Sequence, residues 1–432
     1  MKKNLYIILI CILLLSSFTP ILGIENLYDK KRFAQIIFIS VIFMLFFSSI
    51  KLSTQVKLLF FSIFIIGFIS VLLSSNLLYS TLQLTHTFFL VHLILFGVYI
   101  QKRVNSLFYL LFFSNLFLIC VAILNYSFFL LNRSTPIILD ILYAFNNIRF
   151  FNQFQVICLP IFLYFLAHSK LSRVATILLT LNLFFFLASG ARGAILSCLI
   201  MIVFAAFFKL ISQKALVTLI KCVLFAVVFF ILYTRYHGSE ELIAYTFRTS
   251  SSGRIEIWFD LISKLNWFNV FIGNGPGLYF IDRPMMRYSH PHNSVLQLVY
   301  NWGGIVTLII LLMLYKVVKQ CIFHFKNFPY NPAFNTCLLV IIGLVLYSFF
   351  SGVIVMPLPQ TFILIFIGIL IGFITPQPKL TKRTSMQLVF ILLIIIFYLS
   401  ISLLSYSCVS SQMFGPNFWS NGLLSFAECK MF

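Results

Sequence analysis

Charged residues, and acidic residues above all, are scarce in this sequence. Only nine of its 432 residues are aspartate or glutamate, and charged residues make up 9% of the chain, whereas hydrophobic residues make up 61%. A soluble domain carries roughly 25% charged residues. The composition therefore excludes an ordinary water-soluble protein and indicates a chain built for lipid.

Long apolar runs occupy most of the chain. A segment that crosses a bilayer needs about 17–25 residues and must be helical, because lipid cannot satisfy an open backbone. Thirteen runs are long enough or nearly so, and they predict an all-α polytopic membrane protein with about 12–13 transmembrane helices. The first run also has the pattern of a signal peptide, but we expect it to remain as the first helix. The runs lie near 5–24, 34–50, 58–79, 84–100, 107–131, 154–168, 175–190, 193–212, 215–233, 294–318, 336–356, 361–375 and 386–405.

The net charge of +21 at first suggests a nucleic-acid partner, but its distribution argues against one. When the N-terminus is placed in the cytoplasm, alternating helices collect basic residues in the cytoplasmic loops and put all nine acidic residues on the outer side. This is the positive-inside bias, which orients a membrane protein. The basic residues 30–32 are an exception, because they fall on the outer side.

Polar stretches divide the chain into four predicted parts. These are an N-terminal transmembrane bundle over 1–233, a large outer loop over 234–292, C-terminal transmembrane helices over 293–405 and an outer tail over 406–432. Loops as long as 234–292 are often functional, and we expect this one to be partly helical. The tail contains Cys408 and Cys429, which could pair if the compartment oxidises thiols.

The large loop contains the pattern of an amphipathic helix. Residues 250–253 supply helix-capping residues, and Asp260 and Lys264 are spaced to form an i,i+4 ion pair. We expect the helix to lie on the outer membrane interface, with Trp258 and Trp267 at headgroup depth. The apolar residues recur at the spacing of one helix face, namely Ile255, Trp258, Phe259 and Ile262.

Arginines on the outer side are candidates for binding an anion. Arg192 opens a helix in LASGARGAIL, where the helix N-terminus and a forked guanidinium both favour phosphate. The alternative is an arginine that reaches to the membrane interface. The small residues Gly193, Ala194 and Ser197 indicate that this helix start packs inside the bundle. Arg254 opens the amphipathic helix, and Arg248, Arg283 and Arg287 lie in the same loop.

The turn GNGPG follows the amphipathic helix. Its glycines could expose backbone N–H groups as an anion-binding nest, or they could form an ordinary turn. The three positions are Gly273, Gly275 and Gly277.

His290 and His292 lie where the large loop meets a long apolar helix. A metal pair is disfavoured, because HxH has no third ligand nearby and Asp282 is the only acidic residue close in sequence. The two histidines are therefore either polar interface residues or catalytic ones. His292 precedes a predicted helix over 293–318, whose positive end favours a neutral imidazole that can accept a proton from an alcohol. Gly303 and Gly304 predict a close approach of this helix to a neighbour.

Five motifs occur in a fixed order between residues 187 and 304: SGARGA, SGRIEIW, GNGPG, HPHNSVLQ and NWGG. Together they resemble the O-antigen ligase and polymerase superfamily. The resemblance implies a GT-C-like, multi-pass protein of the bacterial inner membrane with its active site on the periplasmic face. It also implies transfer of a glycan from undecaprenyl diphosphate to an acceptor hydroxyl without cofactor or metal.

The resemblance also implies roles for individual residues. Arg192 and Arg254 match the arginines that engage the donor's diphosphate, and His292 matches the histidine near the acceptor. His292 would then act as general base, position the acceptor or bond to the leaving group. Second-tier substrate contacts include His290 and Asn293, together with the arginines and glycines of the large loop. Two more lie in the outer stretch 132–153, namely Arg149 and Gln153.

Several functions remain open at this point. The expected one is O-antigen ligation, with lipid A–core as the acceptor. The alternatives are an O-antigen repeat-unit polymerase, a protein O-oligosaccharyltransferase and, in another class, a polysaccharide transporter or flippase. Val306 stands where the ligase pattern often carries a further glycine, so the motifs do not choose between ligase and polymerase. A transporter would more often show internal repeats and broken helices at the midplane, and neither is evident.

Overall fold

Helices form nearly all the regular structure of the computed structural model. It describes residues 2–19, 26–47, 54–134, 136, 138–237, 253–283, 286–327, 330–375, 384–409, 415–422, 424 and 429. The helices are α1 Lys2–Phe18, α2 Leu27–Phe46, α3 Thr54–Leu72, α4 Leu77–Leu90, α5 His92–Ile100, α6 Val104–Leu131, α7 Ile138–Ile141, α8 Ile148–His168, α9 Ser172–Ala188, α10 Arg192–Phe207, α11 Gln213–His237, α12 Arg254–Ser263, α13 Trp267–Ile272, α14 Ser294–Asn327, α15 Pro332–Ser348, α16 Pro357–Ile374 and α17 Ser385–Ser407.

The predicted all-α membrane fold is confirmed. Each of the thirteen apolar runs contains a helix, and the run near 84–100 is shared by α4 and α5. Within the described residues, six stretches are long and apolar enough to cross a membrane, and five shorter apolar helices accompany them. The stretches long and apolar enough to cross a membrane are Leu77–Leu131, Ile148–His168, Gln213–Tyr236, Ser294–Asn327, Pro357–Ile374 and Ser385–Ser407.

One short hairpin adds strands to the helical fold. Strand β1, Ile281–Arg283, pairs antiparallel with β2, Met286–Tyr288. Asp282 lies opposite Arg287, and Arg287 Nε donates to Asp282 Oδ1 at 3.0 Å. The hairpin sits in the segment that the sequence analysis assigned to the large outer loop.

The chain forms two compact units, each built from separate pieces of sequence. Unit 1 comprises Met1–Lys30, Lys102–Ser250 and Tyr330–Phe350, and its central helix α8 contacts α6, α9, α10, α11 and α15. The interior of unit 1 contains amide groups among its apolar side chains. Asn182 Nδ2 donates to Asn115 Oδ1 at 2.8 Å, and Gln155 Nε2 donates to Asn182 O at 2.9 Å. These bonds tie α6, α8 and α9 together inside the apolar unit.

Unit 2 comprises Lys31–Gln101, Ser251–Pro329 and Ser351–Phe432. Its helix α14 contacts α3, α12, α13 and α16, while α17 packs on α4. Cys408 and Cys429 form a disulfide that closes the C-terminal tail, so the pairing left open by the sequence is confirmed.

Arg32 occupies the polar interior of unit 2, with only 1% of its side chain exposed. This burial explains the exception among residues 30–32, because the guanidinium is hydrogen-bonded inside the protein instead of lying in an open loop. His86 Nδ1 in turn lies 2.6 Å from the Tyr398 hydroxyl. The acceptors of the Arg32 guanidinium include Gln35 Oε1 at 2.5 Å, Phe418 O at 2.9 Å, Gln360 Oε1 at 2.9 Å, His86 Nε2 at 3.1 Å, Asn417 O at 3.3 Å and Val355 O.

Helices α5 and α16 approach each other through glycines. A Cβ atom at Gly97 would lie 2.9 Å from Gly368 Cα, and one at Gly372 would lie 2.9 Å from Gln101 Cβ. Gly368 and Gly372 have the G-x-x-x-G spacing that lets helix backbones come close in lipid. The backbones of α5 and α16 can therefore pack this closely only because these positions carry no side chain.

Replacing Gly368 by leucine should destabilise unit 2. The added side chain has no space against α5, and overpacking of this kind costs about 1–3 kcal/mol or more. We expect a lower midpoint of thermal unfolding for the detergent-solubilised protein, measured by circular dichroism. Ile367→Leu, on a half-buried position of the same helix, should unfold like the wild type. An unchanged midpoint for Gly368→Leu would contradict the described contact.

Candidate active site

The histidine loop of unit 2, residues 289–293, brings both predicted histidines into one buried place. His290 and His292 are 5% and 7% exposed, and their ring centroids lie 4.2 Å apart in an edge-to-face arrangement. A Cβ atom at Gly352 would lie 3.0 Å from the His290 ring, so the loop packs tightly against the start of segment 351–356. The two rings can therefore act on one small region.

His292 adopts a left-handed backbone conformation, with φ of 55°. Such a conformation is uncommon for a residue with a side chain, although histidine adopts it more often than most. Residues held in sparsely populated backbone regions cluster at functional sites, where surrounding contacts hold them in place. The conformation of His292 is thus consistent with a specialised role.

The N-cap of helix α14 is Asn293, and the helix begins at Ser294. Asn293 Oδ1 accepts hydrogen bonds from Val295 N at 3.0 Å and Leu296 N at 3.1 Å. The prediction that the helix starts at 293 directly after His292 was therefore wrong by one residue, because an asparagine side chain satisfies the first free N–H groups. His292 lies one residue outside the cap.

Trp258 on helix α12 contacts the histidine loop directly. Its indole Nε1 donates to Pro291 O at 2.9 Å, and its ring packs on the cluster of Ile257, Leu261 and Tyr279. This hydrogen bond and the cluster turn Trp258 inward, and its placement at headgroup depth remains a prediction. The other members of that face are exposed, namely Ile255, Phe259 and Ile262.

Helix α12 places the predicted Arg254 in the same unit as the histidine loop. Arg254 is the first residue of α12 and is half-buried, and Gly253 is the N-cap with φ of 75°. The predicted pair of Asp260 and Lys264 is confirmed, with Lys264 Nζ 2.9 Å from Asp260 Oδ2. The capping residues 250–252 lie outside the described residues.

The other predicted arginines of the large loop lie on the hairpin or outside the described residues. Arg287 pairs with Asp282 on the hairpin, where both side chains are about half exposed. Arg283 ends strand β1, and Arg248 lies outside the described residues. Arg254 lies on α12, the helix whose Trp258 donates a hydrogen bond to the histidine loop.

The three glycines of the GNGPG turn pack against other parts of unit 2. Gly273, Gly275 and Gly277 have φ of 89°, 110° and 85°, which favours glycine. Asn274 N donates to Tyr300 O at 2.8 Å, so one amide of the turn is already bonded within the protein. The anion nest remains a prediction. Added Cβ atoms would lie 2.6 to 2.7 Å from neighbouring atoms, namely Asn301 C, Ser74 Cβ and Gln83 Cγ.

Gly303 and Gly304 allow the close helix approach that the sequence predicts. Gly303 has φ of 82° and interrupts α14, and a Cβ there would lie 2.5 Å from Ile272 C at the end of α13. At Gly304 the corresponding neighbour is Val270 O, at 3.0 Å. The break in α14 thus provides the space in which α13 and the glycine turn dock.

Unit 1 contains the remaining predicted residues. Arg192 is the first residue of α10 and is half-buried, and Ala194 and Ser197 are fully buried, which confirms that this helix start packs inside its bundle. Ser189 Oγ donates to Asn152 Oδ1 at 3.2 Å, which joins the SGARG motif to the start of α8. Arg149 and Gln153 lie in the first two turns of α8.

No three His, Cys, Asp or Glu side chains in the described ranges form a group that could hold a metal ion. The chemistry of the site residues is that of imidazoles and guanidinium groups. Imidazole can move a proton, and guanidinium can bind phosphate oxygens through two parallel hydrogen bonds.

Comparison with known proteins identifies a family for the central part of the chain. A family model described as O-antigen ligase matches residues 175–312. This segment contains the SGARG motif, α12, the glycine turn and both histidines, so the resemblance drawn from the motifs is confirmed. No curated protein and no solved structure matches the chain. The match over residues 175–312 and the apolar helices together point to a multi-pass bacterial membrane protein that is similar to O-antigen ligases.

Replacing Asn293 by alanine should remove the cap of α14. Loss of such a cap costs about 1 kcal/mol, whereas Asn293→Ser should retain most of the stability. The measurement is the thermal unfolding midpoint of the purified protein. If both variants unfold like the wild type and only substrate affinity changes, Asn293 serves the substrate and not the helix.

Proposed function

We propose that this member of the O-antigen ligase superfamily transfers a glycan from undecaprenyl diphosphate to the hydroxyl of lipid A–core. The reaction would take place at the periplasmic face of the inner membrane, the side to which the positive-inside bias assigns the large loop. The observation that carries the proposal is the convergence, within the family-matched segment, of the histidine loop and the helix of Arg254, joined by the Trp258–Pro291 hydrogen bond.

The chemistry needs no oxidant, reductant or nucleotide. The acceptor oxygen attacks the anomeric carbon of the donor sugar, and the bond between that carbon and the diphosphate oxygen breaks. The electron pair leaves with the diphosphate, and the acceptor's proton passes to the neutral His292 ring. Arg254 stabilises the negative charge that develops on the diphosphate.

Among the family's reactions we favour ligation, with the lipid-linked repeat unit as an alternative acceptor. Both reactions use the same donor and the same leaving group, so they differ only in which hydroxyl approaches His292. Donor glycan, acceptor glycan and membrane lipid are the partners that the family implies.

Replacing His292 by alanine should lower glycan transfer roughly 10²–10⁴-fold, the usual contribution of a general acid or base. The assay uses vesicles that contain the purified protein, lipid-linked glycan and either lipid A–core or a second lipid-linked unit. His324→Ala, at the other end of α14, is the matched control and should retain wild-type transfer.

The products of this assay distinguish the possible functions. Capped lipid A–core identifies a ligase, and elongated lipid-linked glycan identifies a polymerase. Movement of the donor between leaflets without any new glycosidic bond would identify a flippase and overturn the proposal. Full activity of His292→Ala would remove His292 from the mechanism.

Replacing Arg254 by lysine tests the diphosphate contact. Lysine keeps the charge but loses the forked pair of donors, and one charge-assisted hydrogen bond is worth about 1.5–3 kcal/mol. We expect kcat/KM for the donor to fall about tenfold or more. Arg287→Lys should change it little, because that guanidinium already pairs with Asp282. The reverse order of effects would move the diphosphate site to the hairpin.

A further inference from the structure

The C-terminal tail contacts both functional loops of unit 2. Asn417, only 1% exposed, donates through its side-chain Nδ2 to Gly277 O at 2.9 Å and to Ser289 O at 2.9 Å. Gly277 ends the glycine turn, and Ser289 directly precedes His290. One amide nitrogen therefore joins the glycine turn to the histidine loop.

Neither carbonyl belongs to a helix, so neither receives the i+4 N–H bond that a helix supplies to its own carbonyls. Ser289 is fully buried, and its Oγ donates to Gly415 O at 2.6 Å, which fixes the same loop to the tail a second time. A buried carbonyl that loses its donor is costly, and the loop would move to find another one. The path of the histidine loop thus depends on the tail.

The tail itself is held from several directions. Arg32 donates to the backbone oxygens of Asn417 and Phe418, and Phe418 N donates to the Tyr79 hydroxyl at 3.0 Å. Trp419 Nε1 donates to Ser405 Oγ at 3.0 Å. The Cys408–Cys429 disulfide closes the segment that contains Asn417, Phe418 and Trp419. Asn417 is therefore a fixed donor and not a flexible side chain on a loose end.

We propose that Asn417 is a positioning residue for glycan transfer, because it fixes the histidine loop and the glycine turn relative to each other. The inference rests on the proposed function for its catalytic meaning, although the hydrogen bonds can be tested without it. Asn417 touches no reacting atom in this scheme, and acts only by placing His290 and His292. Misplacement of a catalytic group by about 1 Å can cost roughly 10²-fold in rate.

The test replaces Asn417 by leucine, which keeps a branched side chain of similar size but removes both donors. Hydrogen–deuterium exchange over residues 286–296 should become faster than in the wild type. The kcat per folded molecule should fall by about 10–100-fold, while the KM for the donor stays near its wild-type value. Asn421→Leu is the matched control in the same tail, since the Asn421 amide accepts from its neighbour Ser420.

A second measurement keeps the test decisive if Asn417→Leu folds poorly. Reducing the disulfide of the folded wild-type protein should loosen the tail and speed exchange over residues 286–296. Unchanged exchange in both experiments, or faster exchange with an unchanged kcat, would overturn the positioning role. Absence of glycan transfer by the wild type would instead remove the proposed function, and the exchange data would still decide whether Asn417 holds the loops.

Discussion

The loops of unit 2 depend on one constraint, which is that a buried peptide carbonyl outside a helix needs a donor. Helices satisfy their own carbonyls, but the break of α14 at Gly303 frees Tyr300 O, and Asn274 bonds to it. Likewise, the indole Nε1 of Trp258 donates a hydrogen bond to Pro291 O in the histidine loop. Hydrogen bonds to other segments of the chain thus determine where the glycine turn and the histidine loop lie.

The same constraint explains how a chain with few carboxylates buries a cation. Arg32 is surrounded by carbonyl and amide oxygens and by Nε2 of His86, which all accept its hydrogen bonds. A buried charge is costly unless it is hydrogen-bonded, and a guanidinium offers five donors in a fixed fork. Peptide and amide oxygens from several segments accept from the guanidinium, and each segment is fixed by the contact.

The sequence predicted the features that local spacing controls. Apolar runs predicted the helices because lipid permits little else, and the Asp260–Lys264 pair and the close approach at Gly303 follow from neighbouring residues. It did not predict the inward turn of Trp258 or the hydrogen bonds of Asn417. Asn417 lies 128 residues from Ser289, and no periodicity records a bond across that distance. It did not predict the close contact of α5 with α16 either, although the G-x-x-x-G spacing of Gly368 and Gly372 in the sequence indicates such a contact.

The dependence of the histidine loop on the tail also has a consequence for biogenesis. Ribosomes make the chain from its N-terminus, so the histidine loop is synthesised and leaves the ribosome 128 residues before Asn417. Until the tail has followed, Ser289 O and Gly277 O lack their shared donor. The histidine loop therefore reaches its final contacts only after the tail has been translated, and a nascent chain stalled before residue 417 carries His290 and His292 without the donor that joins their loop to the glycine turn.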